Sequence, residues 1–208
     1  MELEQRRLPE NSTLRLSIDQ FISTAETCDI RREKHQIRVS NLCQAIGKRI
    51  GLDKKSLKGL SMSASLHDWG LLRVPEVVLA KQSALTDDEL ALIREHPKTA
   101  YQVLSQVDFP WPVAEIVLQH HEHFDGSGYP NGLVGDQIRI EARIICAADA
   151  FEAITFTRPH RPAATVIEAA AELKIMSGSF YDPDVVEALM YLFIGDELFV
   201  KGWSERIH

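Results

Sequence analysis

The sequence predicts an all-α fold, a single helical bundle with a metal site inside, and three observations carry that expectation. Apolar residues recur at helical spacing along most of the chain, caps and glycine stops punctuate them, and no alternating strand-and-turn ladder is present. At 208 residues, 45% hydrophobic and 25% charged, the chain is long enough for one well-buried domain. Residues 14–208 are read as that domain, and residues 1–13 as a loosely held N-terminal segment.

Leu14, Ile18, Phe21, Ile22 and Ala25 mark a first helix over 14–30, and Val39, Leu42, Ile46 and Ile50 mark a second that Gly51 stops. Asp53 is a candidate cap for a third helix carrying Leu57, Leu60, Ala64, His67 and Leu71, followed by Pro75 and the turn-forming KQSA at 81–84. Thr86 with Glu89 forms a capping-box signature ahead of Leu90 and Ile93, and Pro112 opens the run Val113, Ile116, Val117, His120. Residues 140–157 read as helix, although the opening IRIEARIICAA is ambiguous with strand. A helix over 163–177 closes at Gly178, and Asp182-Pro183 opens a last one that closes at Gly195.

Composition excludes several functions. A net charge of -7 argues against wrapping a nucleic-acid polymer, while leaving room for a small anionic nucleotide in a locally positive pocket. Cys28, Cys43 and Cys146 are odd in number and without CxxC spacing, as expected of reduced thiols in a cytoplasmic protein. The opening MELEQRRLPENST has no apolar signal core and ALMYLFI at 188–194 is too short to span a bilayer, so a soluble chain with no membrane contact is expected.

The histidines fall on the apolar stripes. His35 precedes Val39, Leu42 and Ile46 by four, seven and eleven residues; His67, with Asp68 beside it, continues Leu57, Leu60 and Ala64. His96 follows Ile93 by three, His120 follows Ile116 by four, and Asp149 lies between Ile145 and Ala153. One buried histidine is more often a hydrogen-bonded core residue than a ligand, but five helices each bearing such a group need something that satisfies them jointly. A metal cluster does so. Adjacent helical residues point about 100° apart, so His67-Asp68 and His120-His121 suit two ions better than one. His35, His67, Asp68, His96, His120, His121 and Asp149 exceed what one ion with open positions would use, and with Asp68 as a bridge two ions keep room for a substrate. The stretch HHEHFDGSGYP at 120–130 also reads as a helix end and turn, with Asp125, Gly126 and Gly128 giving turn geometry and Pro130 barring a new helix.

Four motifs together resemble the HD-GYP subgroup of HD-domain metallophosphohydrolases over roughly residues 25–195: LHDWGLLRVP at 66–75, REHP at 94–97, HHEHFDGSGYP at 120–130, and AADAFEAIT with RPHR within 147–161. The resemblance implies a helical phosphodiesterase that hydrolyses cyclic di-GMP to the linear dinucleotide or to GMP. It implies two divalent transition-metal ions, iron or manganese first and zinc or nickel also accepted. One ion would take His35, His67, Asp68 and Asp149, the other Asp68, His96, His120 and His121, which makes Asp68 the central catalytic carboxylate. Arg158 and Arg161 would face substrate phosphate. The loop of Gly128, Tyr129 and Pro130, with Asp125 and Gly126, is associated in the family with docking a diguanylate cyclase (GGDEF) domain. A homodimer is compatible with the chain.

Two positions depart from the family. Arg31 replaces the glutamate with which some members hold a third ion, which favours two. Leu71 replaces the lysine of His-Asp-x-Gly-Lys; by α-helical spacing it faces the site with His67, and Arg73 is rotated away from it. A catalytically weak or silent protein that binds the nucleotide or a cyclase partner is therefore the alternative, and a hydrolase of other nucleotides a third reading. His123 is expected to be a solvated loop residue, and His160 and His208 lack ligand spacing. Trp69 and Phe124 suit core or rim packing better than stacking on a guanine, and Glu122 either orients a ligating histidine or caps charge at a helix end.

Overall fold

A computed structural model describes residues 30–156, 163–195, 199–200 and 203, and these are helical without a sheet. Helix α1 (Ile30–Ile50) buries the stripe Val39, Leu42, Cys43 and Ile46. It stops where Gly51, at φ 94°, donates its amide to Gly47 O at 3.1 Å, the left-handed cap that glycine adopts without steric cost. The separate helix expected over 14–30 lies outside the described residues up to 29. Helix α2 (Lys54–Leu66) opens on Asp53, whose carboxylate accepts from Ser56 N at 2.7 Å.

The expected continuation of α2 to Leu71 is not observed. The α-helix ends at Leu66, and residues Trp69–Arg73 form a tighter 3-10 turn. A four-residue helix α3 (Glu76–Leu79) follows Pro75, and α4 (Asp87–Arg94) carries both halves of the Thr86–Glu89 capping box. Helix α5 (His96–Leu104) starts one residue later with Pro97 in its first turn, and α6 (Val113–Gln119) follows Pro112. Helix α7 (Ile140–Thr155) resolves the ambiguous IRIEARIICAA in favour of helix, because burial on all sides and not alternation accounts for its apolar run. Helix α8 (Val166–Ile175) opens on a Thr165–Glu168 capping box, and α9 (Pro183–Gly195) opens on Asp182, whose carboxylate accepts from Asp184 N at 2.8 Å.

Two apolar clusters hold these helices. The larger joins α1, α2, α7, α8 and α9 around Leu42, Ile46, Leu60, Ile145, Phe151, Leu173, Leu189 and Trp203. The smaller joins the end of α2 to α5 and α6 through Leu66, Ala100, Leu104, Val113 and Val117, with Trp69 packed on it as rim. Cys43 and Cys146 are buried free thiols. Among the described residues no helix is long and apolar enough to cross a membrane.

Gly70 sets how closely the 3-10 turn approaches α5. A Cβ at Gly70 would stand 1.9 Å from the carbonyl oxygen of His96, so any side chain there must push the two segments apart. Gly70→Ala is expected to lower stability by roughly 1–3 kcal/mol in denaturant unfolding, the usual cost of overpacking. A variant as stable as the parent would contradict this account of the contact.

Candidate metal centre

Three helix ends converge here, and their backbone carbonyls set the histidines. The last carbonyls of a helix lack an amide partner within it. His67 Nδ1 donates to Ala64 O at 2.8 Å, His96 Nδ1 to Ile93 O at 2.8 Å, and His120 Nδ1 to Val117 O at 2.6 Å. A carbonyl can only accept, so each Nδ1 carries the proton, and a neutral ring then presents a bare Nε2 lone pair. All three rings are buried.

The Nε2 atoms point at one another and at two carboxylates. His96 Nε2 lies 3.2 Å from His120 Nε2, and His67 Nε2 is buried without a hydrogen-bond partner. Asp68 stands between two groups: its Oδ2 is 3.5 Å from the Nε2 atoms of both His35 and His67, and its Oδ1 is 3.8 Å from His96 Nε2. Asp149, midway along α7, approaches His35 Nε2 at 3.4 Å and His67 Nε2 at 3.9 Å. The His121 ring lies 4.1 Å from His120 and 5.0 Å from His96 between centroids. Ligand atoms of His35, His67 and Asp68 fall within 4.8 Å of one another, as do those of His96, His120 and His121. Lone pairs facing each other across such distances repel unless they share an electrophile, and imidazole with carboxylate is a donor set for transition metals. The residues present therefore fit two ions, one per group, with Asp68 placed to serve both.

Protein charges alone divide the histidines. Burial holds His96 and His120 below the ordinary imidazole range, and with the charge of His96 it pushes His121 down to about 3. Burial would also lower His35, but its bonds to Asp68 and Glu152 and the charge of Asp149 outweigh that and push it up to about 10. Burial favours the neutral form of Asp68, yet His67 and His35 hold its carboxyl well below the usual range.

The loop after α6 closes one side. Tyr129 stacks on His121 with centroids 4.9 Å apart, and its amide donates to His121 O at 3.0 Å. A Cβ at Gly128 would sit 2.2 Å from His123 N, so the backbone approach there admits only glycine. Asp125 Oδ1 accepts from Ser127 N at 2.9 Å, Gly126 holds φ 85°, and the Tyr129-Pro130 bond is cis. The turn reading of HHEHFDGSGYP is seen in the backbone, and its two leading histidines fall with His96 in a donor group that could hold an ion.

Several expectations change. Glu122 neither orients a histidine nor caps a helix charge; its buried carboxylate accepts from Asn131 N at 2.7 Å and Leu133 N at 3.0 Å and ties down the chain beyond Pro130. His123 is half-buried, stacked on Phe180 at 4.1 Å and bonded to Ser127 Oγ, because Phe124 and Asp125 pair with the backbone of Phe180 and Ser179 and draw it there. Leu71 does not share a face with His67 by α-helical period; in the 3-10 turn it comes one turn after Asp68, its amide bonded to Asp68 O at 2.9 Å. Arg73 is exposed. Arg158, Arg161, His160, His208 and Cys28 lie outside the described residues. Two residues went unsignalled: Glu152, behind His35, and Arg94, whose guanidinium lies 5.6 Å from the Tyr129 ring centroid. Their available signals were weak, a carboxylate one turn beyond Asp149 and a cation two residues before His96.

The HD domain profile matches residues 15–185, so the chain belongs to the HD-domain family, and its HHEHFDGSGYP places it in the HD-GYP subgroup. It is 41% identical over 155 residues to the cyclic di-GMP phosphodiesterase response regulator RpfG of Xanthomonas campestris pv. campestris, covering 74% of this chain and 41% of that protein. It is 39% identical over 128 residues to 3'3'-cGAMP-specific phosphodiesterase 1 of Vibrio cholerae, covering 62% of this chain and 30% of that protein. The chain thus spans less than half the length of these relatives. Its fold matches Bd1817, an HDG"Y"P protein from Bdellovibrio bacteriovorus, with a TM-score of 0.64 at 24% identity, over 85% of this chain and 58% of that one.

Near pH 8, about two units below its folded value of about 10, His35 is protonated, while His96, His120 and His121 are above theirs and neutral. Ligation needs a neutral ring, so ion uptake by chelator-stripped protein at that pH is expected to release about one proton per chain, and affinity is expected to rise with pH up to about 10. Proton counting in weakly buffered solution with a pH indicator checks this; uptake without proton release would contradict the assigned charge of His35.

Proposed function

We propose that this chain is a metal-dependent phosphodiesterase of cyclic dinucleotides, with cyclic di-GMP as substrate and the linear dinucleotide or GMP as product. The position of Asp68 carries the reading: one carboxylate faces His35 and His67 with one oxygen and His96 with the other. The residues that would hold one ion are His35, His67, Asp68 and Asp149, and those for the other are Asp68, His96, His120 and His121. When bound, a pair of divalent ions lowers the pKa of a water and neutralises charge on a phosphodiester. Imidazole and carboxylate accept iron, manganese, zinc or nickel, with supply deciding among them.

The rest of the work falls to the chain. Apolar burial around His67 and His120 excludes bulk water and strengthens electrostatic contacts at the substrate phosphate. Tyr129, stacked on His121, walls the centre, and Arg94, 5.6 Å from the Tyr129 ring centroid, offers a guanidinium to an incoming phosphate or guanine edge. In a chain of net charge -7 such a local cation matters for drawing in a dianion. Arg158 and Arg161 are assigned the same phosphate-facing task. The exposed Asp125 and Ser127 of the Gly128-Tyr129-Pro130 loop are the part of it available to a GGDEF partner, since the Tyr129 ring turns toward His121. Cyclic di-GMP is preferred over 3'3'-cGAMP because the RpfG match is at higher identity and covers more of this chain.

The test is to incubate the full chain, loaded with manganese or ferrous iron, with cyclic di-GMP and with 3'3'-cGAMP and to separate the nucleotides. Linear product from cyclic di-GMP supports the reading; metal-loaded protein that binds the nucleotide without cleaving it supports the silent alternative. Leu71→Lys restores a cation one 3-10 turn after Asp68. It is expected to raise turnover about tenfold over Leu71→Met, about 1.4 kcal/mol of barrier, less than a preorganised contact contributes because the new charge must be desolvated. Equal rates for the two variants would show that the missing lysine does not limit turnover.

A further inference from the structure

His35 is held differently from His67, His96 and His120. Those three rest on carbonyls of the last turn of a helix, whereas His35 lies inside α1, where the carbonyls one turn back are taken up by the helix itself. Its Nδ1 turns instead to Glu152 Oε2 at 2.8 Å, on α7, 117 residues away in sequence. Glu152 is buried, and an unpaired buried carboxylate is costly. Arg38, one turn after His35 on α1, supplies the counter-charge: Nε donates to Glu152 Oε1 at 2.8 Å and Nη2 makes a second, shorter contact to the same oxygen. The guanidinium lies 3.7 Å over the Phe156 ring, which fixes its plane from the other side.

Resting on the two-ion reading, we propose that Glu152 is a positioning residue for the Asp149 side of the centre, holding the tautomer and orientation of His35, and that Arg38 keeps Glu152 in this task and out of the ligand set. Both carboxylate oxygens of Glu152 are engaged, one by each partner, and the one nearest the centre meets Nδ1, the ring nitrogen that does not face Asp68 and Asp149. The two ion positions therefore differ in kind. The one containing His35 depends on a charged relay spanning α1 and α7, whereas in the other His96 and His120 are held by helix-end carbonyls that no side-chain substitution removes.

The experiment uses the full chain stripped of metal and titrated with cobalt(II), with binding followed by chelator competition and by the visible cobalt absorption. For the parent, two binding steps are expected. Glu152→Gln preserves shape and removes charge; it is expected to weaken one step by about 10–100-fold, the usual effect of losing a carboxylate behind a ligating histidine, and to leave the other step unchanged. Arg38→Met is expected to weaken the same step, the double variant to be no worse than the more affected single one, and Glu152→Asp to recover part of the loss. Equal weakening of both steps, or of neither, in variants that melt as cooperatively as the parent overturns the proposal. A parent that binds fewer than two cobalt ions overturns the two-ion reading itself, and the proposal with it.

Discussion

The structure depends on a single constraint: bare imidazole nitrogens and two carboxylates have to be held within a few ångströms of one another inside an otherwise apolar bundle. Three imidazoles meet it by donating Nδ1–H to helix-terminal carbonyls. One contact thus engages a helix-end carbonyl, selects the tautomer, and aims Nε2 inward. Much of the local architecture follows. Helix α2 stops at Leu66, α4 gives way to α5 at Glu95, and α6 ends at Gln119, each just before the histidine that turns back on its last carbonyls. Gly70 and Gly128 occur where the resulting segments meet with no room for a Cβ.

The two apolar clusters act as the clamps for this arrangement. One fixes α1 against α7, which brings His35 to Asp149 and Glu152; the other fixes α5 against α6, which brings His96 to His120 and His121. Asp68 belongs to neither helix pair and stands at their junction, in the turn between α2 and the 3-10 segment. The electrostatics follow the same division. The imidazoles on the α5–α6 side are driven neutral by burial, whereas His35, surrounded by Asp68, Asp149 and Glu152, is driven toward the charged form. Cations entering the centre would compete with a proton at His35 alone among these four.

What was legible in the sequence was what local spacing encodes. The seven ligand-type residues sit on apolar stripes and in motifs, and the caps at Asp53 and Thr86 and the stop at Gly51 follow from backbone chemistry within a few residues. The Thr165–Glu168 capping box was equally readable and passed over, and the short helix after Pro75 was hidden by a turn-rich context. The 3-10 turn was not legible because WGLLR has no residue that breaks an α-helix outright; the close packing of Gly70 on His96 selects it. Glu152 and Arg38 escaped for a different reason. Each looks like an ordinary charged residue on an amphipathic helix, and only the pairing of α1 with α7 reveals that they face each other behind His35. Glu122 was misassigned because its partners, the amides of Asn131 and Leu133, are backbone groups that no side-chain pattern announces.

The central claim is that two ions share Asp68 between two sets of imidazoles. Anomalous diffraction from crystals of the manganese- or iron-loaded chain, with data on both sides of the metal absorption edge, tests it most directly. The account predicts two anomalous peaks flanking the Asp68 carboxylate, one bounded by His35, His67 and Asp149 and the other by His96, His120 and His121. A single peak, or peaks with Asp68 to one side and bonded to neither, would contradict it.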